Sequence, residues 1–217
     1  MIFAPLRLVS TTGRGDSAGA SGGYDAGRLG MRILLLSLSI LFAATLVLYA
    51  YFRVTSPDWA HEGASVLPRG LWISTLILVI SSGTMSLATF AVRRDRLALL
   101  AGAMSATLVL GCGFLLLQYL NWVDLHRAIQ VIPPLTTQPA VQRLAFARTG
   151  YGFFYLLTAL HAAHVLGGLV PMMVVTISSF RRRYHRARAA GVRHCAAYWH
   201  FLDVVWLILY GVLAATN

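Results

Sequence analysis

Five stretches of this 217-residue chain are apolar enough and long enough to cross a lipid bilayer. They cover residues 33–52, 71–92, 97–120, 150–180 and 196–215. A spanning helix needs about 20 mostly apolar residues, because the hydrocarbon core is about 30 Å thick and a helix rises about 1.5 Å per residue. The sequence therefore predicts an all-α integral membrane bundle of five transmembrane helices.

Composition and charge argue against the other classes of protein. The chain is 58% hydrophobic and 12% charged, whereas a soluble domain carries about 25% charged residues. All 18 basic residues are arginine, and the formal net charge is +11. Nucleic-acid binding needs a water-exposed basic face, and a chain with so little water-exposed surface offers none. We predict no nucleic-acid partner and place the arginines at membrane borders.

The arginine distribution predicts the orientation of the chain. Cytoplasmic borders of membrane helices collect Arg and Lys. Placing the N-terminus inside puts 13 of the 18 arginines on the inner side and five on the outer side. We therefore predict an inside N-terminus and an outside C-terminus.

Residues 1–31 differ in composition from the rest of the chain. They are rich in Gly, Ser and Ala and have no apolar period, which predicts a flexible tail. Residues 32–217 then form the five-helix transmembrane domain. Translation from Met1 and translation from Met31 both fit the sequence.

Two pairs of ionisable residues lie within the predicted spans. His161 and His164 are in the fourth span, and His200 and Asp203 are in the fifth. A spacing of three residues puts each pair on one helix face. Ionisable groups inside a membrane are costly and are candidate functional residues. Histidine is the commonest metal ligand, which would suit a haem or a metal ion, but these side chains could equally hydrogen-bond between helices.

The predicted depths favour hydrogen bonding. His164 falls about 24 Å from the inner border and His200 about 6 Å from it, at 1.5 Å per residue. Even after allowance for uncertain span ends, a separation of more than about 10 Å is too large for shared ligation at about 2 Å. We therefore predict no catalytic, cofactor-binding or metal-binding residue in this chain.

Small and hydroxyl residues inside the spans predict helix packing. Ser81, Ser82, Thr84 and Ser86 are expected to make packing contacts rather than to carry chemistry. The glycine pairs at 111 and 113 and at 167 and 168 are expected to mark close approaches between helices.

The last two spans carry a pair of motifs that resembles subunit III of haem-copper terminal oxidases. The runs are FYLLTALHAAHVLGGL at residues 154–169 and YWHFLDVVWLILY at residues 198–210. The family patterns are T-G-x-H-G-x-H-V and Y-W-H-F-V-D-V-V-W. The polar and aromatic positions that match, which we expect to face the bundle interior, are Thr158, His161, His164, Trp199, His200 and Asp203. The resemblance covers about residues 32–217 and is closest to the five-helix form of the family.

The chain departs from the family pattern at three acidic positions. Alignment on the family motifs places Leu38, Asn121 and Arg193 where the family carries carboxylates. The two motif glycines are Ala159 and Ala162. The resemblance therefore does not transfer a proton-handling role to these positions.

The resemblance implies an accessory role in aerobic electron transport. Members of the family hold no haem or copper, pack against the catalytic subunit I, bind phospholipid and support sustained turnover. Haem and copper are then expected in subunit I, with subunit II as a further partner. A companion subunit of a nitric oxide reductase and a stand-alone haem b cytochrome are the alternatives.

Two further expectations concern the membrane. Arginine pairs well with phosphate, so Arg181, Arg182 and Arg183 at an inner border are candidates for lipid headgroup contacts; a purely topological signal explains them equally. The absence of lysine, together with abundant Ala, Arg and Gly, is typical of a GC-rich prokaryotic genome. We expect a bacterial or archaeal plasma membrane.

Overall fold

A computed structural model describes residues 16–55, 70–130, 138–181 and 189–215 of the chain. These residues form five helices: α1 Asp16–Thr55, α2 Leu71–Arg93, α3 Leu97–Gln130, α4 Gln138–Phe180 and α5 Ala190–Ala215. Each helix contains an apolar segment of 23 to 31 residues that is long enough to cross a membrane. The predicted all-α architecture with five spans is confirmed.

Four of the helices form a ring, and the first lies outside it. In the ring α2 packs on α3, α3 on α4, α4 on α5, and α5 closes back onto α2. Helix α1 packs against α5 and α4 from the outside. Its buried apolar side chains form one stripe that contains Leu38, Phe42 and Tyr49. Most of its remaining surface is exposed and apolar, as expected of a helix in contact with lipid.

The shortest connection joins α2 to α3. Asp95 adopts φ of 53° in this turn, in the left-handed region that Asp tolerates better than most residues. The Arg96 amide donates to the carbonyl oxygen of Ala91 at 3.0 Å and closes the end of α2. A turn this tight makes α2 and α3 antiparallel neighbours.

Two helices begin earlier than predicted. Helix α5 begins at Ala190 rather than near residue 196, because Val192 in its first turn is fully buried in the core. Helix α1 begins at Asp16 and continues the first span back into the Gly/Ser-rich segment. Residues 1–15 lie outside the described residues, and the flexible tail over residues 1–31 stays a prediction. The orientation of the termini also stays a prediction.

Candidate functional site

The residues selected from the two sequence motifs lie on the antiparallel helices α4 and α5. Thr158 and His161 are fully buried on α4, and Trp199 and Asp203 are nearly so on α5. His164 and His200 are partly exposed. The motifs therefore supply both interior positions and positions at the edge of the bundle.

His164 and His200 are closer in height than predicted. The rings of His161 and Trp206 are 5.0 Å apart, which fixes the level of α4 against α5. From that level, His164 lies three residues and His200 six residues toward the same end of the bundle. They therefore differ in height by about 5 Å at 1.5 Å per residue. The predicted separation of more than about 10 Å is wrong, because α5 begins at Ala190 and carries His200 deeper.

The side chains of His164 and His200 point toward different helices. His200 faces α2, where its Nδ1 lies 2.8 Å from the Ser82 hydroxyl and its Nε2 lies 3.5 Å from that of Ser86. The Nδ1 of His164 hydrogen-bonds the carbonyl oxygen of Leu160 on its own helix at 2.7 Å. Its ring lies 5.3 Å from that of Phe42 on α1. Within the described part of the chain, no group of three or more His, Cys, Asp or Glu residues could hold a metal ion.

Tryptophan side chains join the ring helices through hydrogen bonds to hydroxyl groups. The Trp199 indole donates to Ser81 Oγ and the Trp206 indole to Thr75 Oγ1, each at 3.0 Å. Both bonds connect α5 to α2. The Trp122 indole of α3 donates to Thr158 Oγ1 of α4 at 3.0 Å. Because one end of Trp is apolar and the other is a single donor, it can fill a core and still bond across it.

These bonds confirm the packing role predicted for the hydroxyl residues. Ser81 and Ser82 of α2 bond to α5, and the Thr84 hydroxyl lies 2.7 Å from that of Thr107 on α3. The hydrogen bond between Thr75 and Trp206 was not predicted from the sequence. A sequence pattern could have indicated this bond. The two tryptophans of α5 are seven residues apart, and the two hydroxyl residues that accept from them on α2 are six residues apart. Antiparallel packing of α5 on α2 therefore brings each tryptophan to the height of one hydroxyl.

Asp203 is the buried acid of this interface. Neither of its carboxyl oxygens has a hydrogen-bond partner among the described residues. Its Oδ2 lies 3.7 Å from Nδ1 of His200, beyond hydrogen-bond distance. The two side chains are adjacent, as the spacing of three residues predicts, but the His200 imidazole bonds to Ser82 instead.

The three non-acidic residues at family acidic positions have different environments. Leu38 is buried on α1, one turn before Phe42. Asn121 is buried on α3, and its Nδ2 donates to Ser74 Oγ of α2 at 3.3 Å. Arg193 is exposed near the start of α5. Leu38 and Asn121 thus form part of the packed interior without a charge.

Of the three arginines proposed to contact lipid, the structure describes one. Arg181 is exposed directly after α4. Arg182 and Arg183 lie outside the described residues, so the lipid contact stays a prediction.

The bond between Trp199 and Ser81 should contribute a small, measurable part of the stability. Trp199→Phe and Ser81→Ala each remove one member of the bond, and a double-mutant cycle isolates their coupling. We expect about 0.6 kcal/mol, the typical value for hydrogen bonds between membrane helices. The measurement is the free energy of unfolding of the four proteins in detergent.

The matched control pairs Trp199→Phe with Thr75→Val. Thr75 accepts from Trp206 and not from Trp199, so this cycle should show no coupling. Equal coupling in both cycles would contradict the assigned bond.

Comparison with known proteins gives a consistent result over nearly the whole chain. Residues 19–215 match the family described as cytochrome c oxidase subunit III. Cytochrome c oxidase subunit 3 of Synechocystis is 31% identical over 205 residues, which cover 94% of this chain and 81% of the relative. The subunit of the same name from Corynebacterium diphtheriae is 33% identical over 185 residues, 82% of each chain. That from Thermostichus vulcanus is 29% identical over 186 residues, 85% of each chain.

Proposed function

The chain belongs to the cytochrome c oxidase subunit III family, and we infer that it is a non-catalytic accessory subunit of a haem-copper respiratory oxidase. The observation that carries this inference is the extent of the match. It covers all five spans, and it includes both polar motifs of α4 and α5. The chain is therefore a multi-pass membrane protein that aligns with its relatives over most of its length.

The contacts within the bundle support a role in packing. Each of three indole N–H groups donates to a hydroxyl of a neighbouring helix; they belong to Trp122, Trp199 and Trp206. His200 is held between two serines of α2. The hydrogen-bonding capacity of these residues is thus used to fix helices against one another, which suits a rigid subunit that supports a partner.

We extend the proposal to the assembly as follows. Subunit I, which holds the haem and copper, and subunit II are the protein partners, and residues 32–217 form the domain that packs against subunit I. The exposed guanidinium of Arg181 supports contact with phospholipid headgroups, since Arg binds phosphate bidentately. The bacterial or archaeal plasma membrane is the proposed location.

Co-purification tests the proposed function. The full-length chain with an affinity tag, solubilised from its native membrane in mild detergent, should bring down a haem-containing subunit and its Soret absorption. After dissociation of the complex, that absorption should stay entirely with the partner. The control is a tagged multi-pass protein of the same membrane from outside the respiratory chain.

Haem that stays bound to this chain after dissociation would favour the stand-alone haem b cytochrome. In that case the isolated chain would retain the Soret band, and His164→Ala or His200→Ala would shift or abolish it. Such a result would contradict the accessory function.

A further inference from the structure

Two fully buried polar side chains of the ring have no hydrogen-bond partner among the residues that the structure describes. Gln118 of α3 is 1% exposed and His161 of α4 is 0% exposed. Neither atom of the Gln118 amide and neither nitrogen of His161 is bonded to any described residue. Buried polar groups in proteins are almost always bonded to protein or to ordered water, because burial without a hydrogen bond is costly. Four unpaired atoms on two side chains therefore need an explanation.

The two side chains lie at nearly the same height inside the ring. On the buried face of α3, Gln118 has Phe114 one turn before it and Trp122 one turn after it. The Phe114 ring lies 5.7 Å from the ring of His161. The Trp122 indole bonds to Thr158, which precedes His161 by one turn of α4. Gln118 thus lies between the levels of His161 and Thr158.

The indole and hydroxyl donors that the structure places near His161 and at the level of Gln118 are already used. The indole N–H of Trp122 is used by Thr158, and that of Trp206 by Thr75. The Thr158 hydroxyl donates to the carbonyl oxygen of Phe154 at 2.7 Å. The rings of Phe42 and Phe114 also lie beside the ring of His161. The described ring contacts of His161 are thus aromatic, and these three donors are already hydrogen-bonded.

The chemistry of the unpaired atoms selects the ligand. A neutral imidazole offers one donor and one acceptor, and a carboxamide offers both as well. An apolar gas or a lipid tail would leave all of them unsatisfied. A metal ion needs more ligands than this pair supplies. Water both donates and accepts, and a buried water commonly makes about three hydrogen bonds to such groups.

We propose that Gln118 and His161 bind ordered water inside the ring of α2 to α5, where it links α3 to α4. The interior of the ring thereby holds water beside the buried rings of Phe114 and Trp206. This site is independent of the function proposed above, since it rests on the contacts of this chain alone.

Radiolytic footprinting tests the proposal in the full-length chain, purified from its native membrane with its bound partners. X-rays convert bound water into hydroxyl radicals, which oxidise the side chains beside it even when bulk solvent cannot reach them. We expect oxidation of Phe114 and Trp206. Met85 and Met104 are the internal control, because both are 0% exposed and methionine is readily oxidised. They should stay unmodified.

Variants test whether the oxidation of Phe114 and Trp206 depends on Gln118 and His161. The double variant Gln118→Leu with His161→Phe should lose the oxidation of Phe114 and Trp206. Thr107→Val is the matched control, since it removes a buried α3 hydroxyl that is already bonded to Thr84 and to the carbonyl oxygen of Ala103. It should leave the label unchanged.

Three results would overturn the proposal. The first is an absence of label on Phe114 and Trp206 in the unmodified chain, a reading that needs no variant to fold. The second is equal labelling of Met85 and Met104, which would indicate general solvent entry. The third is a label that persists in the double variant or disappears in Thr107→Val.

Discussion

Gly111→Leu is expected to prevent the ring of helices from closing. A Cβ atom at this position would lie 2.6 Å from Cη2 of Trp199 and 2.9 Å from Cδ2 of Leu169. The Trp199 ring is rigid, nearly fully buried and anchored to Ser81, so it has little freedom to move aside. Overpacking of a core costs about 1–3 kcal/mol and sometimes more. A leucine adds three further carbons to the clash, so we expect a loss at or above the top of that range.

The matched control is Gly113→Leu on the same helix. A Cβ at Gly113 meets no atom of a described neighbouring residue within 4 Å, so the substitution should change stability little. Gly168→Leu, with Gly167→Leu as its control, gives a second pair of variants on α4. A Cβ at Gly168 would lie 2.6 Å from Cε1 of Tyr198, whereas one at Gly167 meets nothing within 4 Å in the described part of the chain.

The measurement is the thermal stability of the four purified variants in detergent. It is monitored as the fraction of each variant that stays monodisperse after heating. The Gly111 and Gly168 variants should aggregate at much lower temperature than the Gly113 and Gly167 variants. Equal melting of the two members of either pair would contradict the close approaches assigned here.

An oxidase that lacks this chain is expected to start at a nearly normal rate and then lose activity several-fold faster than the complete enzyme. Under the proposed function, the haem and copper ligands belong to the catalytic subunit, so their chemistry survives the deletion. The same proposal expects the deletion to remove the packed surface and the bound lipid that support the catalytic subunit during turnover. Because the resemblance aligns the uncharged Leu38 and Asn121 with acidic positions of the family, the initial rate should depend little on the chain.

The experiment is to delete the gene, purify the remaining oxidase and follow oxygen consumption over many turnovers. Restoring the gene should restore the slow decay, and so should the Gly113→Leu form, whereas the Gly111→Leu form should not. Loss of the initial rate in a complex with intact haem and copper would contradict the accessory function. An unchanged decay would limit the chain to a role in assembly.

The glycines show how far sequence reasoning reaches in this bundle. All four residues of the two glycine pairs were predicted to mark close approaches. Gly111 and Gly168 do so, whereas Gly113 and Gly167 face open space, and the prediction for those two is wrong. A glycine pair identifies a place where a close approach is permitted, but the rotation of the helix decides which member faces the neighbour.

His161 and His200 show the same limit for the polar residues. Their burial cost inside a membrane marked them as candidates from sequence alone. The sequence did not show that His161 is enclosed by Phe42, Phe114 and Trp206, nor that His200 bonds to Ser82 of α2. These contacts depend on residues 45 or more positions away along the chain.

The five spans and the family were determined by the sequence itself, because a bilayer requires about 20 consecutive apolar residues for each helix and the motifs of α4 and α5 are continuous stretches. The height of His200, the direction of each histidine and the pairing of Trp199 with Ser81 were decided only by the tertiary structure. Apolar length is a local property that one segment carries alone. Height and rotation are set when side chains of neighbouring helices interlock, and a core packed to crystal-like density leaves each helix few alternative positions.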